Sequence, residues 1–510
     1  MDGLAIEGAD AMAAKNGVRI PPRDQLWLLL DRPDNLMYIN SVVWFAEVPD
    51  WDALTRVLDE NLAGVYPVFR SVPQRRGRRW YWVEHPGFDI GHHITRSRLP
   101  EPGDQESAEA HISARMSFPL PGGRPLWSVE YIENFHGEGF DEEGALLLFR
   151  VQHGVVDGVR LTQLILSMCE LDDEDGAPPA VGRSLGPPGG ILQTVSEVGG
   201  VMARDSFGIA RGLTGAAMTF PLSLAKLVRD VTAPGFGLTR VPTRVVESLA
   251  STVSPTNTVA NTYRSIFRLL WEPRTASRSW TGRARAEKKV SWVTGIDLAA
   301  VKRVARAHDT TVTTVMIAAV SRALTEYLRS QGDKPLADIN LMVPMSVAPV
   351  GDGPPTDLGN HITLILLRLP LGVDDPQTLI DEITESMVRV QYSFEPHVTY
   401  AAMVTAAAAV PVGVTNALVD VVANKAIGQL TSVPGPTSMV RIAGTPVAGL
   451  LGWVPMTGDQ SLGICIYSYN GQVTVGIATD AGLVPEPGVV AGMIERQFTH
   501  FAGWDADRDD

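Results

Sequence analysis

An apolar run that ends on a histidine limits the architectures open to this chain more than any other segment. Leu146 to Val151 is strongly apolar and fits a strand buried within a sheet. Gln152 and His153 follow, then a short loop with Asp157-Gly158, then a helical pattern from Leu161 to Glu170. Strand, loop and helix in that order predict an α/β unit. The rest of residues 1–180 agrees. Ser41 to Phe45 reads as a strand, and Asp50 is placed to cap a helix with Leu54, Val57, Leu58 and Leu62 on one face. The acidic run Asp172 to Asp175 and the Pro/Gly-rich stretch to Gly190 mark the unit's end.

Residues 181–263 are poor in charge and rich in Gly, Ala, Val and Leu. They read as a helical connector, either an ordinary buried helix pair or an element at a membrane surface. Residues 264–510 read as a second α/β unit that opens on a basic stretch. Eight Lys/Arg stand there between Arg264 and Lys289, against Glu272 and Glu287. Val312 to Leu328 reads as an apolar helix, Leu341 to Val347 and Ile362 to Leu371 as strands. Leu379, Ile383 and Met387 recur at helical spacing. Ser461 to Tyr469 and Gln472 to Ala478 flank Asn470-Gly471, the pair favoured in a type I′ hairpin turn.

Composition excludes several classes. A net charge of −14 argues against a general nucleic-acid binder, while a local basic patch still suits an anionic ligand. Two cysteines, Cys169 and Cys465, stand far apart, so neither a disulfide framework nor a zinc site is expected. The first residues carry no secretory pattern, which makes a cytosolic location the simplest expectation. Gly212 to Ala225 is uncharged but has only 14 residues, and Pro396 to Val419 has 24 without Lys, Arg, Asp or Glu but is interrupted by Pro411. A spanning helix needs about 20 apolar residues. The second stretch reads as buried helix or lipid-facing surface.

His153 sits where a buried strand meets a loop, a usual position for a functional side chain. An imidazole there takes a proton from a hydroxyl near neutral pH. Asp157 is placed to lock the loop through an ion pair, and Gly158 to permit close backbone approach. The segment Phe149-Arg150-Val151-Gln152-His153-Gly154-Val155-Val156-Asp157-Gly158 resembles the HHxxxDG motif of the CoA-dependent acyltransferase superfamily. The chain as a whole resembles one branch, the bacterial wax ester synthase/diacylglycerol acyltransferase family. Tyr66 to Arg70 is similar to its hP-x-hR element, Arg124 to Trp127 to its PLW element, and Val343 to Ser346 to its PVS strand. Gly359-Asn360 is similar to its GN pair, Thr431 to Pro436 to its SNVPGP element, and Ser468 to Gly471 to its closing SYNG hairpin.

The resemblance implies two similar chloramphenicol-acetyltransferase-like domains, of the condensation type, meeting along a central tunnel. Acyl-CoA would enter one side and a long-chain alcohol or diacylglycerol the other. His153 would be the general base, with Gln152 beside it and Asp157 mainly structural. Gly158, Ser346, Asn360 and Ser432 are candidates for substrate contact, Ser346 and Asn360 equally so for structural hydrogen bonding. No metal and no cofactor beyond the acyl-CoA substrate is implied, and a membrane or lipid-droplet surface is the expected setting. The chain departs from the family at Gln152, where the first motif His stands, at Thr313-Thr314, and at Ser432. These shorter or altered polar groups favour a second reading, a weak or inactive member that binds lipid in a membrane assembly. His153 and Asp157 favour the enzyme. The pair His92-His93 reads as structural or surface.

Overall fold

Continuous apolar runs become the central strands of two sheets in the computed structural model, which describes residues 17–77, 79–171, 274–275, 277–347, 353–391 and 395–506. The strands of those sheets are, in chain order, β1 Tyr38–Phe45, β2 Ile94–Arg98, β3 Trp127–Phe135, β4 Gly144–Gln152, β5 Lys288–Asp297, β6 Asp338–Ser346, β7 Ile362–Pro370, β8 Gly428–Pro434, β9 Gly449–Trp453, β10 Leu462–Tyr469 and β11 Gln472–Asp480. The helices are α1 Pro22–Leu30, α2 Trp51–Leu58, α3 Gln105–Met116, α4 Gly158–Ser167, α5 Leu298–Ala307, α6 Val312–Ser330, α7 Pro376–Gln391, α8 Glu395–Ala409, α9 Val412–Ala423 and α10 Pro487–Ala506. The first sheet runs β9-β1-β4-β3-β2 and the second β7-β6-β8-β10-β11-β5. The α/β architecture expected from the sequence is therefore present.

Local expectations hold where a local cause exists. Asp50 accepts from the Ala53 backbone N–H at 2.8 Å and caps α2. Every residue of β4 is buried, as its apolar run requires. Asn470 and Gly471 take φ of 45° and 77°, and β10 and β11 pair on either side of them in register. The helix after the motif begins at Gly158, earlier than the expected Leu161, because Asp157 caps it directly. The Pro396 to Val419 stretch divides at Pro411 into α8 and α9, and Ala407 packs with Leu26, Trp27 and Leu30 of α1. Among the described residues no helix is long and apolar enough to cross a membrane. The 181–263 connector, with its Gly212 to Ala225 stretch, lies outside the described residues, as do residues 264–273 of the basic run.

The long-range arrangement does not follow the linear division at 264. Strand β9, far along the chain, pairs antiparallel with β1 and forms the edge of the first sheet. A Cβ at Gly449 would stand 2.1 Å from the Trp44 ring, so glycine is what lets β9 lie against that indole. In return, α3 covers the edge of β5. Successive outward backbone N–H groups of β5, at Lys288, Val290 and Trp292, donate to Ser117 Oγ, Ser113 Oγ and Glu109 Oε1 at 2.9, 3.0 and 3.2 Å. A sheet edge that would otherwise be open is closed by side chains of the other half. The apolar core is shared too. Trp292, Val433 and Tyr467 of the second sheet belong to the cluster built on β1, β3 and β4.

Candidate active site

Strand β4 ends at Gln152, and the next residue, His153, is almost fully buried at 3% exposure. Its backbone N–H donates to Met37 O at 2.7 Å, which holds the turn against the chain entering β1. Its ring lies flat on Trp27 of α1, centroids 3.8 Å apart and planes 12° from parallel. Ring nitrogen Nδ1 is 2.7 Å from Asn360 Oδ1. An amide oxygen only accepts, so Nδ1 carries the proton and Nε2 keeps its lone pair. Burial pushes the imidazole down to about 4, with the nearby Asp157 carboxylate opposing. The ring is neutral at physiological pH.

Asp157 is wholly buried and does three things. Its Oδ1 accepts from Arg160 N at 2.9 Å and caps α4. Its Oδ2 pairs with the Arg160 guanidinium at 3.0 Å and accepts from His361 N at 3.1 Å. The ion pair expected to lock the loop is thus the one with Arg160, whose Nε also donates to Asp357 O at 2.8 Å. Gln152 donates from Nε2 to Trp27 O at 3.0 Å and accepts from Gly154 N, so its amide fastens the turn to α1. The substituted motif position keeps a supporting function.

Asn360 lies in the loop before β7. Its backbone N and its Nδ2 both donate to Asp24 Oδ1, at 2.6 and 3.0 Å, and Nδ2 also donates to His153 O at 2.7 Å. Burial raises the Asp24 carboxyl above its usual range, and the two bonds from Asn360 oppose that rise without cancelling it. The structure therefore brings Gln152, His153, Asp157 and Asn360 together.

Gly158 opens α4, but no described atom lies within 4 Å of where its Cβ would be, so close approach is not its reason. The close approach belongs to Gly154, whose Cβ would meet Gln152 Oε1 at 2.8 Å and Asp24 O at 3.0 Å. Ser346 ends β6 opposite Ile362, two residues beyond Asn360. Ser432 is half-buried within β8, beside Ile466, and makes none of the cluster's hydrogen bonds. Thr314 sits in the first turn of α6, where its N–H and hydroxyl bond the capping Thr311. His93 is buried between Phe88 and Trp127 and is structural, while His92 is exposed. Trp127 of the PLW element donates from Nε1 to Phe69 O at 2.8 Å, tying that element to the segment Tyr66 to Arg70.

Three participants escaped the sequence reading. Asp24, Trp27 and Arg160 carry no motif of their own. For Arg160 a local signal was present, since a basic residue three positions after an N-cap Asp can pair with it, and Asp24 and Trp27 lie within Pro22 to Phe45, a stretch similar to the family's N-terminal segment.

The family model for the wax ester synthase/diacylglycerol acyltransferase catalytic domain matches residues 20–316, and the model for the WS/DGAT C-terminal domain matches residues 358–501. The chain belongs to this acyltransferase family. The O-acyltransferase WSD of Acinetobacter baylyi is 23% identical over 506 residues, covering 96% of this chain and 98% of that one. A Mycobacterium tuberculosis protein named for diacylglycerol O-acyltransferase activity is 27% identical over 423 residues, covering 81% and 75%. Among solved structures, the wax ester synthase/diacylglycerol acyltransferase of Marinobacter aquaeolei VT8 superposes with a TM-score of 0.61 at 19% identity, covering 96% of this WS/DGAT chain and 100% of that one. The first condensation domain of the calcium-dependent antibiotic synthetase does so at 0.53 and 15%, covering 96% and 97%. Both similarities are of fold, and they agree with the condensation-type, two-domain arrangement implied by the sequence.

Proposed function

We propose that this WS/DGAT protein transfers a long-chain acyl group from acyl-CoA to the hydroxyl of diacylglycerol or a long-chain alcohol, giving triacylglycerol or wax ester, with His153 as general base. The observation that carries the reading is the state of His153. It is buried and neutral, with Nδ1–H committed to Asn360 and the Nε2 lone pair left as the basic site. Nε2 takes the hydroxyl proton as the oxygen attacks the thioester carbon. The tetrahedral adduct then expels the CoA thiolate, which takes the proton back from the imidazolium. Ester and free CoA leave, and no acyl-enzyme forms. Asp157, whose charge opposes the burial effect at His153, favours the transient imidazolium. A base so placed contributes about 10²–10⁴-fold, and the rest comes from aligning two bound substrates.

Gln152, through its bonds to Trp27 and Gly154, supports this turn, which favours the enzyme over the inactive reading. Ser346, at the end of β6, and Ser432, within the neighbouring β8, remain our candidates for substrate contact. Both substrates are amphiphilic or apolar, so we place the reaction at a membrane or lipid-droplet surface. The test is thiol release from palmitoyl-CoA by purified protein, with and without diacylglycerol or hexadecanol. Acceptor-dependent release is expected to fall about 10²–10⁴-fold in His153→Ala. Equal release by wild type and folded His153→Ala would defeat the base assignment, and no acceptor-dependent release by either would point to lipid binding without catalysis.

A further inference from the structure

We infer that Asn360 is a positioning residue: its side-chain amide, locked by Asp24, selects the His153 tautomer that is protonated on Nδ1 and basic on Nε2. The inference rests on His153 being the base and adds what makes it one.

The argument is one of donors and acceptors. Asn360 Nδ2 has two neighbours, Asp24 Oδ1 at 3.0 Å and His153 O at 2.7 Å, and both only accept. Turning the amide over would set its oxygen against these two oxygens and leave two buried acceptors facing a third, which is strongly unfavourable. The amide oxygen must therefore face His153 Nδ1, as it does at 2.7 Å. The other tautomer would place two acceptors there. An isolated imidazole carries its proton on either nitrogen; here the ring also bonds its own residue's backbone, and Asn360 adds the side-chain acceptor that secures the proton on Nδ1.

The lock is itself held. Asp24 Oδ1 accepts from the Asn360 backbone N–H as well, at 2.6 Å, and Tyr400 OH donates to Asn360 O at 3.4 Å. One residue on, His361 N donates to Asp157 Oδ2. Successive N–H groups of the loop are thus captured by two buried carboxylates, one from α1 and one from the cap of α4. Trp27, also on α1, fixes the ring plane. The charged groups facing this cluster are Asp157 toward His153, and Arg23 and Asp357 toward Asp24. The oriented base is assembled only when α1, the β4 turn and the Asp357–His361 loop are docked, so the loop before the second sheet's β7 sets the proton position on a histidine of the first sheet.

The test joins a spectrum with kinetics. Protein labelled with 15N-histidine, its His153 signals identified by their loss in His153→Ala, is expected to show Nδ1 protonated and Nε2 unprotonated at pH 7. In Asn360→Ala the signals should move to a mixture of tautomers. kcat should fall about 100-fold with KM for acyl-CoA within about threefold. Asp24→Asn, which unlocks the amide without removing it, should give a smaller fall in kcat, about tenfold, and a partial tautomer shift. If Asn360→Ala does not fold, Asp24→Asn carries the test alone. A wild-type His153 protonated on Nε2 overturns the proposal whatever the activities are. So does a folded Asn360→Ala that keeps wild-type kcat while His153→Ala is inactive, an outcome that leaves the base itself standing. An active His153→Ala removes the base and the proposal together.

Discussion

The turn after β4 and the loop before β7 hold the same histidine by different means. The turn has bonds among its own residues besides those to Met37, Trp27 and His361. Val155 N donates to Gln152 O at 2.9 Å, Asp157 caps α4 through Arg160 N, and the Asp157–Arg160 pair spans three residues. The loop has Asp357 accepting from Gly359 N at 2.8 Å, but its contact with His153 depends on Asp24, 336 positions from Asn360 in the chain. A turn with a local cap and ion pair is chiefly a stability device, and a loop whose hold on the histidine runs through a distant helix is chiefly an alignment device. Variants of the first should register in unfolding, variants of the second in kcat.

The largest stability effect is expected at Asp157. Asp157→Ala removes the cap of α4 and leaves Arg160 buried beside a missing partner, at a cost of about 3–5 kcal/mol. Urea unfolding measures it. A loss below about 1 kcal/mol would break the comparison, as would a kcat loss with unchanged stability.

A second effect is in pH. Below about 6.5 the unfolded chain takes up a proton at residue 153, and the folded protein refuses it until about 4 because the ring is buried. Stability should therefore decline as pH falls through that window, by on the order of 3 kcal/mol from this group, and level off below it. Unfolding midpoints between pH 7 and 4 compare the wild type with His153→Gln. The variant should lack this part of the slope, and parallel curves would show that His153 is protonated without penalty.

The smallest effect is expected at Gln152. Gln152→His restores the family's motif residue in a pocket where the present side chain already bonds Trp27 O and Gly154 N. kcat should change by less than about threefold, since neither residue touches the Nδ1 partner of His153. A gain of tenfold or more would mean that the motif's first position acts on the chemistry directly.

Much of the first region was legible. His153, Asp157 and the strand–turn–helix around them follow from an apolar run and a polar break, while the cap that Asp157 supplies went unread and the helix was expected three residues later than it begins. Asn360 was singled out as a candidate, though its contact with Asp24 was not. Asp24 is an ordinary acidic residue in the first turn of α1, where its charge already suits the helix dipole. Nothing in its neighbourhood distinguishes a carboxylate that faces solvent from one that holds an amide. Gly158 and Gly154 show the same limit in reverse, since which glycine is crowded depends on what α1 brings against the turn.

Local patterns were enough for strands β1, β4, β6, β7, β10 and β11, the Asp50 cap, the Asn470-Gly471 hairpin and the family's ordered motifs, because each rests on periodicity or on bonds between near neighbours. The tertiary structure alone decided that β9 completes the first sheet, that α3 closes the edge of β5, and that Asp24, Trp27 and Asn360 converge on His153. Those contacts join residues far apart in the chain. Their energy exists only once both partners are desolvated together, so no local pattern records it.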